Sequence, residues 1–116
     1  MEFFYSKMDQ GILILNADGE LNSDTAKEFI DELVSLIDSG ETKIVVDCTH
    51  LDHISSYGLG VLVRLHSKLK KKGGDVKLAS VKGVVEQVFK ITQLNKIFEI
   101  YPDVSQACLM FRPKDV

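Results

Sequence analysis

The chain has little of several features that mark specialised classes of protein. It has no tryptophan and only two prolines and two cysteines in 116 residues, and this composition does not suit a disordered or low-complexity chain. Cys48 and Cys108 cannot form a framework of disulfides, so we expect reduced thiols and a cytoplasmic location. No apolar run approaches the roughly 18 residues that a membrane-spanning helix needs. The N-terminus also lacks the basic-then-apolar order of a signal peptide. We therefore expect no membrane partner.

Charge and length argue against a nucleic-acid partner and against a second domain. The chain carries 14 basic and 17 acidic residues, for a formal net charge of −3. A nucleic-acid partner needs a strong positive field to meet its phosphates, so we expect none. Two separate domains would each fall below about 60 residues, where a hydrophobic core is marginal. We expect one domain over residues 1–116.

The apolar residues alternate between strand spacing and helix spacing along the chain. Their order, ββαβαβαβα, includes helices long enough to return the chain for parallel pairing. The sequence therefore predicts an α/β fold, with a mixed sheet of four or five strands and about four helices packed on it. The predicted strands are 3–6, 11–17, 43–48, 75–80 and 96–100, and the predicted helices are about 23–39, 57–72, 82–90 and 103–111.

The most informative segment connects the end of a buried strand to the start of a helix. Positions 55–60 read SSYGLG. Either serine can cap the helix, and Ser56 is the better candidate. Gly58 and Gly60 then fall in the first turn, where each costs about 1 kcal/mol relative to alanine. Two explanations stay open: a partner that approaches the backbone closely, or tight packing of the helix on the sheet.

This segment resembles the STAS domains of anti-sigma factor antagonists, which carry a serine or threonine before Gly-Leu-Gly at a strand–loop–helix junction. Other stretches resemble further parts of that family, in the same order and at the same separations over nearly the whole chain. They are residues 19–22 with 25–26 before the first helix, 44–47 in the buried strand, 73–78 at the next strand, and 97–98 with 104–107 at the C-terminal end.

The resemblance implies a regulatory switch with neither enzyme activity nor a cofactor of its own. Ser56 would be phosphorylated by a serine kinase that is itself the anti-sigma factor, with Ser55 as a secondary acceptor. The unmodified form, a monomer or weak dimer, would bind that kinase and free a sigma factor. A phosphatase of the PP2C type would remove the phosphate. The residues that the resemblance assigns to partner binding are Asn22, Ser23, Asp24, Ser55, Tyr57, Gly58, Leu59 and Gly60.

Three positions depart from the pattern of that family. Many relatives have an acidic residue directly before the acceptor, where this chain has Ser55, and a serine or threonine directly after it, where this chain has Tyr57. Ser55 removes a charge beside the acceptor and adds a second hydroxyl. Asn22 stands where an aspartate is frequent, so a hydrogen bond could replace one charged contact with a partner.

A second cluster of reactive side chains precedes the helix. Cys48, His50 and His53 form a C-x-H-x-x-H pattern with Asp47 and Asp52 nearby, and zinc accepts ligands of these types. The pattern lacks the paired spacing of structural zinc sites. Cys48 also ends a buried strand, where its side chain can point away from the loop. We expect a buried thiol and two imidazoles in solvent, and no metal.

Other functional motifs are weak or missing in the sequence. It has no G-x-S-x-G elbow of a hydrolase and no glycine-rich phosphate loop. Four lysines within 68–72 favour a solvated helix end, with a docking patch for an acidic partner as the alternative. Within the resembled family, the alternative function is a STAS subunit without a switch, in a signalling assembly or a lipid-transport complex.

Overall fold

The structure is a computed structural model that describes residues 2–7, as backbone, and 11–111. Residues 1, 8–10 and 112–116 of the predicted domain lie outside the described part. The described strands are β1 Glu2–Lys7, β2 Leu13–Leu21, β3 Lys43–Asp47, β4 Leu51–Ile54, β5 Asp75–Ala79 and β6 Glu99–Tyr101, and the described helices are α1 Ala26–Asp38, α2 Ser56–Lys71, α3 Gly83–Ile91 and α4 Val104–Leu109.

The main sheet has the strand order β1-β2-β3-β5-β6. β1 runs antiparallel to β2, while the pairs β2–β3, β3–β5 and β5–β6 are parallel. The predicted mixed sheet of four or five strands, with four helices in the described residues, is confirmed. In addition, the short strand β4 pairs in parallel with the far end of β2, at Gly19 to Leu21.

The central position of β3 follows from its sequence. Ile44, Val45 and Val46 are all buried, and β3 lies between β2 and β5. Successive side chains of a strand point to opposite faces, so a continuous β-branched run needs cover on both faces of the sheet. The helices provide that cover.

Two apolar clusters lie on opposite faces of the sheet. On one face, Leu13 and Leu15 of β2 belong to the large cluster that contains the buried side chains of α1, α2 and α3. On the other face, Ile12 and Ile14 pack in a smaller cluster with Ala107 of α4. The large face thus anchors α1 and α2, and their N-terminal ends form the candidate site.

The described structure departs from the sequence prediction by three or more residues, or in the kind of element, at four places. β2 continues to Leu21, four residues beyond its predicted end, because its last residues pair with β4. α1 begins at Ala26 and not at 23, because Asn22 and Thr25 form a hydrogen-bonded turn before it.

The sequence predicts a loop at residues 51–54, because the alternation of apolar and polar residues that is typical of a strand is missing there. These residues nevertheless form β4, in which only Leu51 and Ile54 are buried. The last strand was predicted from residue 96 and begins at Glu99, because residues 94–96 form a 3₁₀ turn. Neither the described helices nor that turn has the length and hydropathy that a membrane span requires.

Candidate functional site

The two segments to which the family resemblance assigns partner binding lie side by side at the starts of α1 and α2. Leu21 at the end of β2 is the register partner of Ile54 at the end of β4. The next residue, Ser55, donates its backbone N–H to the carbonyl of Leu21 at 2.9 Å. The turn that begins at Asn22 and the first turn of α2 therefore leave the same edge of the sheet.

Ser55 is the residue that caps α2. Its backbone is extended, with φ −90° and ψ 169°, and its hydroxyl accepts a hydrogen bond from the N–H of Gly58 at 3.2 Å. Ser56 is the first residue of the helix. The prediction that Ser56 is the better cap is therefore wrong. Pairing with β2 holds the chain extended as far as Ile54, and Ser55 continues the extended backbone that a cap requires.

The hydroxyl of Ser56 is left available by this arrangement. Ser56 is exposed, and its side chain makes no hydrogen bond within the part of the chain that the structure describes. The first turn of α2 contains no acidic residue. The unpaired N–H groups and the positive end of the helix dipole at this position favour an anion. The site can therefore carry an added phosphate without repulsion from its own helix turn.

The two glycines of the first turn have different environments. A Cβ on Gly58 would lie 2.7 Å from the carbonyl oxygen of Leu21, which no real Cβ tolerates without a backbone shift. Tight packing of α2 against the end of β2 therefore explains Gly58. A Cβ on Gly60 would meet no atom within 4 Å, and Gly60 is exposed. The fold itself gives no reason for a glycine at position 60.

The turn before α1 is held by reciprocal hydrogen bonds. The side-chain oxygen of Asn22 accepts from the N–H of Asp24 at 2.9 Å and from that of Thr25 at 3.2 Å. The hydroxyl of Thr25 accepts from the N–H of Asn22 at 3.0 Å and donates to the carbonyl of Glu20 at 2.8 Å. Asn22 thus orders the turn, while Ser23 and Asp24 are exposed beside it.

The remaining residues of the first α2 turn divide between core and surface. Tyr57 keeps 53% of its surface exposed, whereas Leu59 keeps 5% and belongs to the main core. Gly58 is also buried. The surface that a partner can reach at the start of α2 is therefore formed by Ser56, Tyr57 and Gly60.

The cysteine and histidines before α2 form no metal site in the described residues. The Cys48 thiol is buried, and its burial, followed by the nearby charge of Asp47, raises its pKa to about 12. A metal ligand needs a thiolate, which this environment disfavours. His50 and His53 are exposed. Residues 11–111, whose side chains the structure describes, contain no group of three or more histidine, cysteine, aspartate or glutamate side chains placed to hold a metal ion.

Comparison with known proteins identifies the family of this chain. The model of the STAS domain family matches residues 6–107. The chain therefore belongs to the STAS domain family, as the sequence motifs predicted. Family membership establishes the fold and leaves the function to be argued from the site.

Particular relatives are similar over most of the chain. BtrV of Bordetella bronchiseptica, provisionally named an anti-sigma factor antagonist, is 33% identical over 97% of this chain and 96% of its own. The anti-sigma-B factor antagonist of Bacillus subtilis is 29% identical over 81% of this chain and 85% of its own. The crystal structure of TM1081 from Thermotoga maritima, also provisionally named an antagonist, has a TM-score of 0.90 at 30% identity and covers 96% of this chain and 95% of its own.

Proposed function

We propose that this protein is a cytoplasmic anti-sigma factor antagonist, formed by one STAS domain over residues 1–116. Its unmodified form binds an anti-sigma factor that is also a serine kinase, and a sigma factor is freed. Phosphorylation of Ser56 ends this binding, and a phosphatase of the PP2C type restores it. The relatives that carry the name of antagonists support the class of partner.

One observation carries the choice of acceptor. The Ser55 hydroxyl is engaged with the N–H of Gly58, whereas the Ser56 hydroxyl is exposed and makes no hydrogen bond within the described residues. Transfer to Ser55 would require the helix cap to open first, at a cost of about 1 kcal/mol. Ser56 needs no such rearrangement, so its hydroxyl is the better nucleophile toward ATP bound to a kinase.

We expect the two serine variants to separate capping from modification. Ser55→Ala should lose about 1 kcal/mol of unfolding free energy, because α2 loses its cap, and should still be phosphorylated on Ser56. Ser56→Ala should keep the stability of the wild type and accept no phosphate. Urea unfolding measures the first effect, and mass spectrometry of each variant after incubation with the kinase and ATP measures the second.

The same experiment distinguishes the alternatives. Phosphate confined to Ser55 in the wild type would move the acceptor by one residue. No phosphate on either serine, with a kinase that is active on another substrate, would favour a STAS subunit without a switch.

Gly60→Ala is expected to stabilise the fold and weaken the complex. Alanine is better than glycine inside a helix by about 1 kcal/mol, and its methyl group meets no atom within 4 Å here. If the kinase approaches this turn closely, the same methyl group obstructs it, and we expect about a tenfold loss of affinity. Thermal unfolding and calorimetric titration with the kinase measure the two effects on one sample.

Gly58→Ala, the same substitution at the other glycine, provides the control for the effect on stability. Its Cβ would lie 2.7 Å from the Leu21 carbonyl oxygen, so we expect a loss of about 1–3 kcal/mol in stability from overpacking. Unchanged kinase affinity in a stabilised Gly60→Ala protein would show that the partner does not approach this turn.

A further inference from the structure

A groove between α1 and α2 lies outside the site described above. Ile30 and Val34 of α1 and Leu65 of α2 form its apolar part. Its volume is about 380 Å³, within the range of clefts that bind small molecules. Leu65 is buried, while Ile30 and Val34 are partly buried and pack on the main core. The groove therefore presents apolar surface that the fold itself does not cover completely.

The charged residues that line this groove are all basic. Arg64, Lys68 and Lys71 of α2 are among its lining residues, and no acidic residue is. Lys68 has an ion-pair partner in Asp38, with the two charged atoms 3.4 Å apart. Arg64 and Lys71 are exposed and form no ion pair with the side chains of residues 11–111. Two cations beside apolar surface thus remain without an internal counter-charge.

The three basic residues of the groove form one row along α2. Residues 64, 68 and 71 follow i, i+4, i+7 spacing, so they lie on one face of α2 over two turns, about 10 Å. A helical segment with apolar residues on one face and acidic residues beside it has the same repeat. Such a segment can place apolar side chains in the groove and carboxylates next to Arg64 and Lys71.

We propose that the groove between α1 and α2 docks an acidic amphipathic helix of a protein partner. The complementary charge distinguishes this occupant from a neutral apolar ligand, which would leave Arg64 and Lys71 unused. The proposal does not depend on modification of Ser56. Of the lysines at the end of α2, Lys68 and Lys71 would then belong to a docking patch for an acidic partner on the side of α2 that faces α1. The other lysines of this helix end are exposed to solvent.

A designed peptide tests the proposal without a kinase. The probe is a 14-residue fluorescent peptide with leucines on one helical face and glutamates elsewhere. The control is a scrambled peptide of the same composition. The full ¹⁵N-labelled protein is titrated by NMR, and the dissociation constant is measured by fluorescence anisotropy. We expect amide shifts concentrated at residues 30, 34, 64 and 65, and weaker binding as salt is added.

Charge-reversal variants make the test specific. Arg64→Glu/Lys71→Glu should weaken peptide binding by about tenfold or more. Arg64→Gln/Lys71→Gln should weaken it by a smaller factor, and this variant serves if the charge reversal disturbs folding. The matched control is Lys82→Glu/Lys96→Glu, which changes two exposed positions outside the groove and has the same net charge as Arg64→Glu/Lys71→Glu. Its dissociation constant for the peptide should stay within about twofold of the wild type.

Several outcomes would overturn the proposal. Equal binding of the scrambled peptide, or an equal loss in the control variant, would show attraction by net charge alone. Amide shifts in the groove that are the same in both charge variants as in the wild type would indicate a neutral apolar ligand. Shifts that depend on protein concentration alone would indicate a second copy of this chain. Absence of shifts at residues 30, 34, 64 and 65 would also overturn it. None of these results bears on Ser56, so the proposed function is judged separately.

Discussion

Phosphorylation of Ser56 is expected to weaken binding of the anti-sigma factor kinase by about 100- to 3,000-fold. The phosphate adds about −1.5 to −2 charges, and the first turn of α2 offers no basic side chain to neutralise it in an interface. A buried charge without a partner costs on the order of 3–5 kcal/mol, which converts to that loss of affinity.

The phosphate is expected to stabilise the isolated protein slightly, by less than it destabilises the complex. The N-terminal end of α2 favours an anion by about 0.3–1 kcal/mol at an exposed position. We therefore expect the modified protein to unfold at nearly the same urea concentration as the unmodified protein. The phosphate should act on the complex and leave the fold nearly unchanged.

Calorimetric titration of the kinase with both forms measures the effect. Ser56→Asp should reproduce part of the loss, because its single negative charge is smaller than that of a phosphate. Ser56→Ala should bind like the unmodified protein and fail to respond to ATP. Equal affinity of the two wild-type forms, with unchanged folding, would refute the electrostatic switch even if Ser56 is modified.

Removal of the buried ammonium of Lys77 is expected to cause a loss of about 3 kcal/mol in stability. Lys77 lies in β5 and is 4% exposed. Its ammonium is 3.1 Å from the carboxylate of Asp75, 2.9 Å from that of Glu99, and 4.7 Å from the ring centre of Phe111. In Lys77→Ala, the buried carboxylate of Asp75 loses its nearest cation.

The remaining partners compensate this loss only in part. Lys70 lies 3.5 Å from Asp75 with 52% of its side chain exposed, and the ring nitrogen of His66 lies 3.7 Å away. Urea unfolding at neutral pH measures the change, with Lys82→Ala at an exposed position as the control expected within about 0.5 kcal/mol of the wild type. Asp75→Asn/Lys77→Met should recover much of the loss, since it removes both charges. A single Lys77→Ala protein within 1 kcal/mol of the wild type would contradict this account.

The response of the same network to acid provides a second readout of the Lys77 variant. Glu99 accepts hydrogen bonds from the Tyr101 hydroxyl and from Lys77, and these bonds lower its pKa from 4.5 to about 2. A lowered pKa stabilises the fold above pH 4.5, and the contribution disappears as the pH falls from 4.5 toward 2. Glu99 is half-exposed, so solvent screening keeps this contribution small. Lys77→Ala should show a weaker dependence on pH in that interval.

Much of the fold could be predicted from the sequence because burial has a local signature. The β-branched run Ile44 to Val46 is typical of a buried strand, and it forms β3. Phe29, Leu33 and Ile37 have helical spacing, and all three are buried on the core face of α1. The motif at positions 55–60 predicted the family, which the match over residues 6–107 confirmed. These features depend on residues close together in the chain, so one sequence contains them.

The division of roles at the site depended on contacts between residues distant in the chain. Two adjacent serines offer the same cap chemistry, and pairing of β4 with β2 decided that Ser55 caps while Ser56 stays exposed. Gly58 and Gly60 are equivalent in sequence, and only the position of Leu21, 37 residues earlier, makes one a packing requirement. The sequence by itself determined which elements form and which family they resemble, because periodicity and motif are local. The tertiary structure decided which hydroxyl and which glycine are accessible, because accessibility is set by the neighbours that folding brings together.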